Sequence, residues 1–176
     1  MSNGRRLVSV VLVTAFLMGL VVSTGTAQVV RFGFIDSEKI FSEYKAWIKA
    51  QEEFNTQYQA WDEEAREMQK ELEDMIEEYE KQKLILSDEK KREREAGIET
   101  KRQALDAFTQ KIFGPNGTAE QKNNELVQPL IKKINAAIER LATEENYDFI
   151  FNSEGLAYAK KDYDVTDKVL EFLEEE

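Results

Sequence analysis

Residues 44–86 read YKAWIKAQEEFNTQYQAWDEEAREMQKELEDMIEEYEKQKLIL. Within this stretch Tyr44, Trp47, Phe54, Tyr58, Trp61, Ala65, Met68, Leu72, Met75, Tyr79 and Leu86 follow one another at steps of three and four, and only Gln51 and Gln82 put polar groups on the stripe. A mean step of 3.5 residues keeps these side chains on one face of a helix that supercoils left-handedly against a partner. At 1.5 Å per residue the stretch makes a rod of roughly 65 Å. A rod of that length cannot hide its stripe inside a small globule. It must lie against another helix, another subunit or a bound client, so the chain is expected to work by holding something.

Working outward, Ser87-Asp88 is the predicted turn. Ser87 can cap the returning helix, with Asp88 and Glu89 in its first turn where the macrodipole favours them. The run Lys90–Glu95 (KKRERE) reads as a solvated face, and Ile98, Leu105, Phe108 and Ile112 resume the heptad with Lys101 at the missing position. Two antiparallel arms joined at a tip fit this pattern. Gly114-Pro115-Asn116-Gly117-Thr118 breaks the return arm, because two Gly and one Pro so close together cannot continue an ordinary helix. Asn116-Gly117-Thr118 also matches a glycosylation acceptor, a motif short enough to arise by chance. Residues 119–145 are predicted helical again, with Leu126, Leu130 or Ile131, Ile134, Ile138 and Leu141 on one face; Pro129 reads as a kink or as the first turn of the packed part.

Both chain ends change period. Val29–Ile35 (VVRFGFI) is β-prone, and Asp36 or Ser37 caps the helix that begins at Glu38. Near the other end, residues 147–152 (YDFIFN) read as a strand, 153–155 as a turn and Leu156–Ala159 as a second short strand. Asp164 is placed as the cap of a terminal helix over 165–173, with Val165, Val169, Leu170 and Leu173 facing inward. Strands at both ends with helical arms between them require the ends to meet. The expected fold is α+β, mainly α: a small β-containing body (28–43 and 146–176) from which a long coiled-coil hairpin (44–145, broken at 114–118) projects.

The first 27 residues read as an export signal. Arg5 and Arg6 form the positive region, Leu7–Val22 is apolar apart from Ser9, Thr14 and Gly19, and Gly25-Thr26-Ala27 supplies small residues for cleavage after Ala27. A stretch of 16 residues is short for a membrane span. After cleavage 22 basic residues would face 35 acidic ones, a net charge of −13. That balance carries no nucleic-acid footprint. The chain has no Cys and no His, which excludes disulfides, lipid attachment through a cysteine and Ser–His or Cys–His nucleophile systems. Carboxylate pairs on one helix face, such as Glu63 and Glu67, arise by chance in so acidic a helix, so no catalytic, metal or cofactor-binding residue is assigned and no enzyme activity is expected.

These residues resemble the Skp/OmpH family of periplasmic chaperones. The resemblance rests on the signal, the opening Phe32-Gly33-Phe34-Ile35-Asp36, the heptad arm, and above all the closing Tyr147-Asp148-Phe149-Ile150-Phe151-Asn152, Ala157-Tyr158-Ala159 and Asp164-Val165-Thr166-Asp167-Lys168-Val169-Leu170. It covers essentially the whole mature chain. It implies a homotrimer whose strands form a central body, with three helical hairpins enclosing a cavity. In that cavity unfolded outer-membrane proteins are held in the periplasm without nucleotide, metal or other cofactor. Phe34, Ile35, Phe149, Ile150 and Phe151 would supply the apolar oligomer core. Trp47, Phe54, Tyr58, Trp61, Met68, Met75 and Tyr79 would contact clients or seal the hairpin. Two features depart from the family. Its familiar members are basic, and basic arms are thought to help them meet anionic lipid and lipopolysaccharide; the acidic charge here argues against both as partners. The Gly114–Thr118 break also interrupts an arm that is more continuous in some members. The alternative reading is a structural coiled-coil spacer of the cell envelope, for which a β-containing body would be superfluous.

Overall fold

The computed structural model describes residues 29–175, so the predicted export signal lies outside them. Strand β1 (Phe32–Ile35) leads into the short helix α1 (Ser37–Glu43). Helix α2 (Lys45–Gln82) runs out along the arm and α3 (Asp88–Phe113) returns. Helix α4 (Thr118–Glu144) carries the chain back to strand β2 (Phe149–Asn152). Two single 3₁₀ turns, Ser153–Gly155 and Lys161–Tyr163, then precede the terminal helix α5 (Thr166–Glu174). The result is a mainly helical α+β fold with a small β part, as the sequence pattern predicts.

The caps explain most boundaries. The Asp36 carboxylate accepts from the Lys39 amide at 3.1 Å and starts α1. Ser87 Oγ accepts from the Lys90 amide at 3.4 Å and starts α3. At α5 the N-cap is Val165 and not the expected Asp164, which stands one residue earlier and accepts at Oδ1 from the Thr166 amide at 3.0 Å. Each satisfies one of the amides a helix N-terminus leaves without an internal partner.

Three further expectations need correction. The long helix does not begin at Tyr44: this residue is extended (ψ 106°) and separates α1 from α2. Nor does α2 reach Ser87. It stops at Gln82, and residues 83–87 form the loop at the tip, where Leu84 and Ile85 are 90% and 86% exposed. A heptad stripe sustains a helix only while the returning helix lies opposite, and at the tip there is none. Pro129, by contrast, lies inside α4 immediately before Leu130, where that helix begins to pack on the core. Leu156–Ala159 is not a strand. The Leu156 amide is used in the 3₁₀ turn, donating to the Ser153 carbonyl at 2.9 Å, and the sheet has just two strands, β1 and β2.

Strands β1 and β2 pair in parallel, Phe32 opposite Phe149 and Ile35 opposite Asn152. The outer side of β1 is used by Val165, whose amide donates to the Phe34 carbonyl at 2.9 Å. Gly33 sits where a Cβ would meet both Val165 methyls at 3.2 Å, so glycine lets β1 lie close against the start of α5. Ile35, Ile40, Tyr44, Ile134, Ala137, Leu141, Val165, Val169 and Leu173 form the core. It joins both chain ends, and it also takes in the last turns of α4, so the return helix belongs to arm and body alike.

The arm is a thin structure. Of the α2–α3 seam only Leu72, Ile98 and Ile112 are fully buried. Its register is marked by ion pairs: Glu71 with Lys101, Glu78 with Arg94 at 3.6 Å, and Glu53 with Lys122 of α4 at 2.9 Å. At the break, Gly117 is required by sterics, since a Cβ there would lie 2.6 Å from the Ile112 carbonyl oxygen. Leu141 is fully buried (0% exposed), so Leu141→Ala should lower folding stability by ~2–5 kcal/mol. Met75→Ala, in the half-open seam, should cost distinctly less. Urea unfolding of both variants at one protein concentration checks the difference.

Candidate functional site

Two surfaces carry the residues expected to act. The first is the outer face of the two-stranded sheet. Alternation along the strands sends Ile35 and Ile150 toward the helices and leaves Phe32, Phe149 and Phe151 outward, 46%, 56% and 46% exposed. Phe34 is half-buried on the same face. The Phe149 and Phe151 rings stack at 6.0 Å, and Phe32 meets Tyr163 edge-on at 6.5 Å. With Leu156 and Tyr158 these rings line an open apolar hollow of about 600 Å³. The five residues expected in an oligomer core therefore divide: Ile35 and Ile150 serve this chain's own core, whereas Phe34, Phe149 and Phe151 face the hollow.

The second surface is the arm. Trp47, Phe54, Trp61, Met68, Met75 and Tyr79 are half-buried and Tyr58 is 43% exposed. Several make contacts within the chain. Trp47 stacks on Phe41 at 4.4 Å, Tyr58 lies edge-on to Phe113 at 5.4 Å and beside Phe54 at 5.9 Å. Gly97 leaves room for the Met75 methyl, which would stand 3.5 Å from a Cβ there. The Tyr79 hydroxyl donates to Glu95, and that bond pushes its pKa up to about 12. A pair of helices covers a seam from one side only, so these side chains keep part of their apolar surface open.

Sequence reasoning missed the polar clasp that holds the sheet in register. Arg31, just before β1, reaches the end of α4: its Nη1 donates to the Glu145 carbonyl at 2.7 Å and its guanidinium lies 4.4 Å over the Tyr147 ring. Its amide donates to Asp148 at 2.7 Å, and its carbonyl accepts from the Asp148 amide at 2.8 Å. Lys168 of α5 completes the clasp on Glu145, with Nζ 2.7 Å and 2.5 Å from the two carboxylate oxygens. No sequence signal could find it, since Arg31 and Asp148 stand 117 residues apart and Lys168 lies further still.

With the geometry in place, comparison with known proteins assigns the class. The family model for the outer membrane protein (OmpH-like) family matches residues 31–173, so the chain belongs to the OmpH-like family. A crystal structure of a candidate outer membrane chaperone (OmpH-like) from Caulobacter crescentus shares the fold at a TM-score of 0.72 and 14% identity, over 83% of this chain and 85% of that one. No curated protein matches.

The clasp generates a pH prediction. The Lys168 ammonium, hydrogen-bonded to Glu145, holds that carboxyl below its ordinary value of 4.5. A carboxyl depressed on folding stabilises the folded state above its unfolded pKa, and that contribution is lost as pH falls through the folded value. Melting temperature should therefore drop below about pH 4.5, and Glu145→Gln should flatten that acid limb while lowering stability at pH 7. A pH series of thermal melts on both proteins checks it.

Proposed function

We propose that this chain is an ATP-independent periplasmic holdase, a homotrimer that binds unfolded outer-membrane proteins and keeps them from aggregating in transit. The reading rests on membership of the OmpH-like family, whose outer membrane chaperones are periplasmic, and on one observation: the exposed phenylalanine face of the sheet beside an unused edge. Among the described residues strand β2 pairs only with β1, so its outer edge offers backbone groups to another strand. Copies of the chain that paired there would cover Phe149 and Phe151 and the hollow beside them. The three half-open arms would then surround a space lined by Trp, Tyr, Phe and Met side chains. Such contacts are weak, non-directional and adaptable, which suits a partner that exposes alternating apolar residues in no fixed shape.

Two measurements test the proposal. Phe149→Asp and Phe151→Asp put charge on the exposed face without touching the chain's own core, unlike Ile150→Asp, which would damage both. Sedimentation should show monomers that keep wild-type helicity by circular dichroism; a full trimer from both variants would rule the assembly out. For holding, an unfolded outer-membrane barrel protein is diluted from urea with and without the chain, in the absence of ATP, and light scattering is followed. The chain should suppress aggregation. A version lacking residues 72–78 and 95–101, one heptad from each side of the arm, should assemble normally and suppress less. Assembly with no suppression by the full chain would favour the spacer reading.

A further inference from the structure

We propose that Met68 and Met75 form an oxidant-responsive site in the middle of the arm: a hypohalous acid converts both thioethers to sulfoxides, and the sulfoxides part α2 from α3 there. The inference stands apart from what the arm holds. It starts from composition. The chain has four methionines and no cysteine. Met1 and Met18 lie in the predicted export signal, so among the described residues the only sulfur stands at positions 68 and 75. Where there are no thiols, thioethers are the side chains that such oxidants attack first.

Register places both sulfurs on the seam. The Glu71–Lys101 and Glu78–Arg94 pairs fix α2 against α3. Midway between them Met75 meets Gly97, its methyl 3.5 Å from where a Cβ would stand. Glycine is a weak helix former in the interior of α3, and having no side chain it leaves one flank of the thioether uncovered. Met75 is accordingly half-buried, although Leu72 and Ile98 beside it are closed to water. One heptad nearer the body the same register brings Met68 to the level of Leu105. There an open hollow of about 720 Å³ runs between the helices, with Ala65, Gln69, Leu105 and Thr109 in its walls, and Met68 is again half-buried. A neutral molecule of three atoms reaches both sites, whereas the acidic shaft holds off anions.

The step balances without a cofactor. The sulfur lone pair takes chlorine from hypochlorous acid, releasing hydroxide. Water then adds to the sulfur, chloride leaves, and the water gives up its two protons, one of which neutralises the hydroxide. Net, one thioether and one hypochlorous acid give one sulfoxide, one chloride and one proton: sulfur is oxidised by two electrons and chlorine reduced by two. The new oxygen is a strong acceptor. Leu72, Ile98 and Gly97 bring no side-chain donor, so a sulfoxide kept in the seam at Met75 would be a buried polar group without a partner. Turning out to water satisfies it and strips Met75 from the seam. Leu72 and Ile98 are then left to hold a stretch whose ion pairs add little. Reductases that return sulfoxide to thioether reset the site.

The test treats purified chain with one and then two equivalents of hypochlorous acid, maps the peptides by mass spectrometry and follows amide hydrogen exchange. The first two oxygens taken up among residues 28–176 should sit on Met68 and Met75. Exchange over 65–79 and 95–108 should then rise by roughly fivefold or more, with 134–141 and 165–173 of the body unchanged. Methionine sulfoxide reductases acting on both epimers should restore the original exchange. The double variant Met68→Leu, Met75→Leu keeps the volume and removes the sulfur, and at the same dose it should show no such rise. Oxygen uptake elsewhere before these two positions, or an equal rise in the leucine variant, overturns the site. Both methionines oxidised with exchange unchanged overturns the parting of the helices.

Discussion

Everything in this fold depends on the parallel pairing of two four-residue strands that stand 117 residues apart, with Arg31 and Asp148 at their entrance. Parallel strands need a crossover, and here the crossover is the entire arm. Closing so long a loop costs entropy that eight strand residues cannot repay. The repayment comes from packing: Ile40, Leu141, Val165 and Val169 are almost wholly removed from water, and the core they form draws on α1, α4 and α5 together. The Arg31–Glu145–Lys168 clasp adds direction to this non-directional burial. It ties the entrance of β1, the end of α4 and the side of α5 at one point, so a slip of register would break several charge-assisted bonds at once. A slip by one residue would also turn Phe149 and Phe151 inward and Ile150 outward.

The arm obeys the opposite economy. Its contacts run between α2 and the two helices that return beside it, α3 and α4, and its seam never closes into a core. Only three side chains of the α2–α3 pair are fully buried, and the aromatic and Met residues between them are half covered. Such a rod holds its shape through helix hydrogen bonds and ion pairs that each contribute little. What it loses in stability it retains as accessible apolar surface, which the proposed holding of many shapes would require. The body can be rigid because the arm is not asked to be.

How much of this was legible in the sequence follows from range. Features set by neighbours three or four residues away could be read directly: the heptad of α2, the caps at Asp36 and Ser87, the break at Gly114–Thr118. At the end of α2 Leu84, Ile85 and Leu86 look like a continuing stripe; what is missing there is a partner, and a partner is not written in the local pattern. Tyr44 looked like the first heptad residue because it is apolar and correctly spaced, yet the core claims it and breaks the helix. Leu156–Ala159 has strand composition without a strand to pair with among the described residues. The apolar strand ends were read as one cluster, although alternation already divides Ile35 and Ile150 from Phe149 and Phe151. The clasp on Glu145 was invisible, since Arg31 looked only like an interruption of an apolar run.

Charge sets the last constraint on how the chain can hold anything. Along residues 45–80 twelve acidic residues stand against four basic ones, and at the tip most basic groups are already engaged: Lys81 with Glu77, Lys83 with Glu80, Lys90 with Glu93, Arg94 with Glu78. Long-range attraction for an acidic polypeptide is therefore absent over most of the arm, and what remains is repulsion screened within about 10 Å at 0.1 M salt. An acidic client that binds must do so against this field, through apolar contact alone. Apolar contact is short-ranged and scales with the area covered, so on the proposed function a single arm offering half-buried Trp, Tyr and Met side chains would grip weakly, and a firmer grip would need several arms acting on one chain. The acidic shaft and the exposed phenylalanine face of the sheet thus belong to one argument: the first makes each arm a poor holder by itself, and the second is the surface through which arms would be gathered.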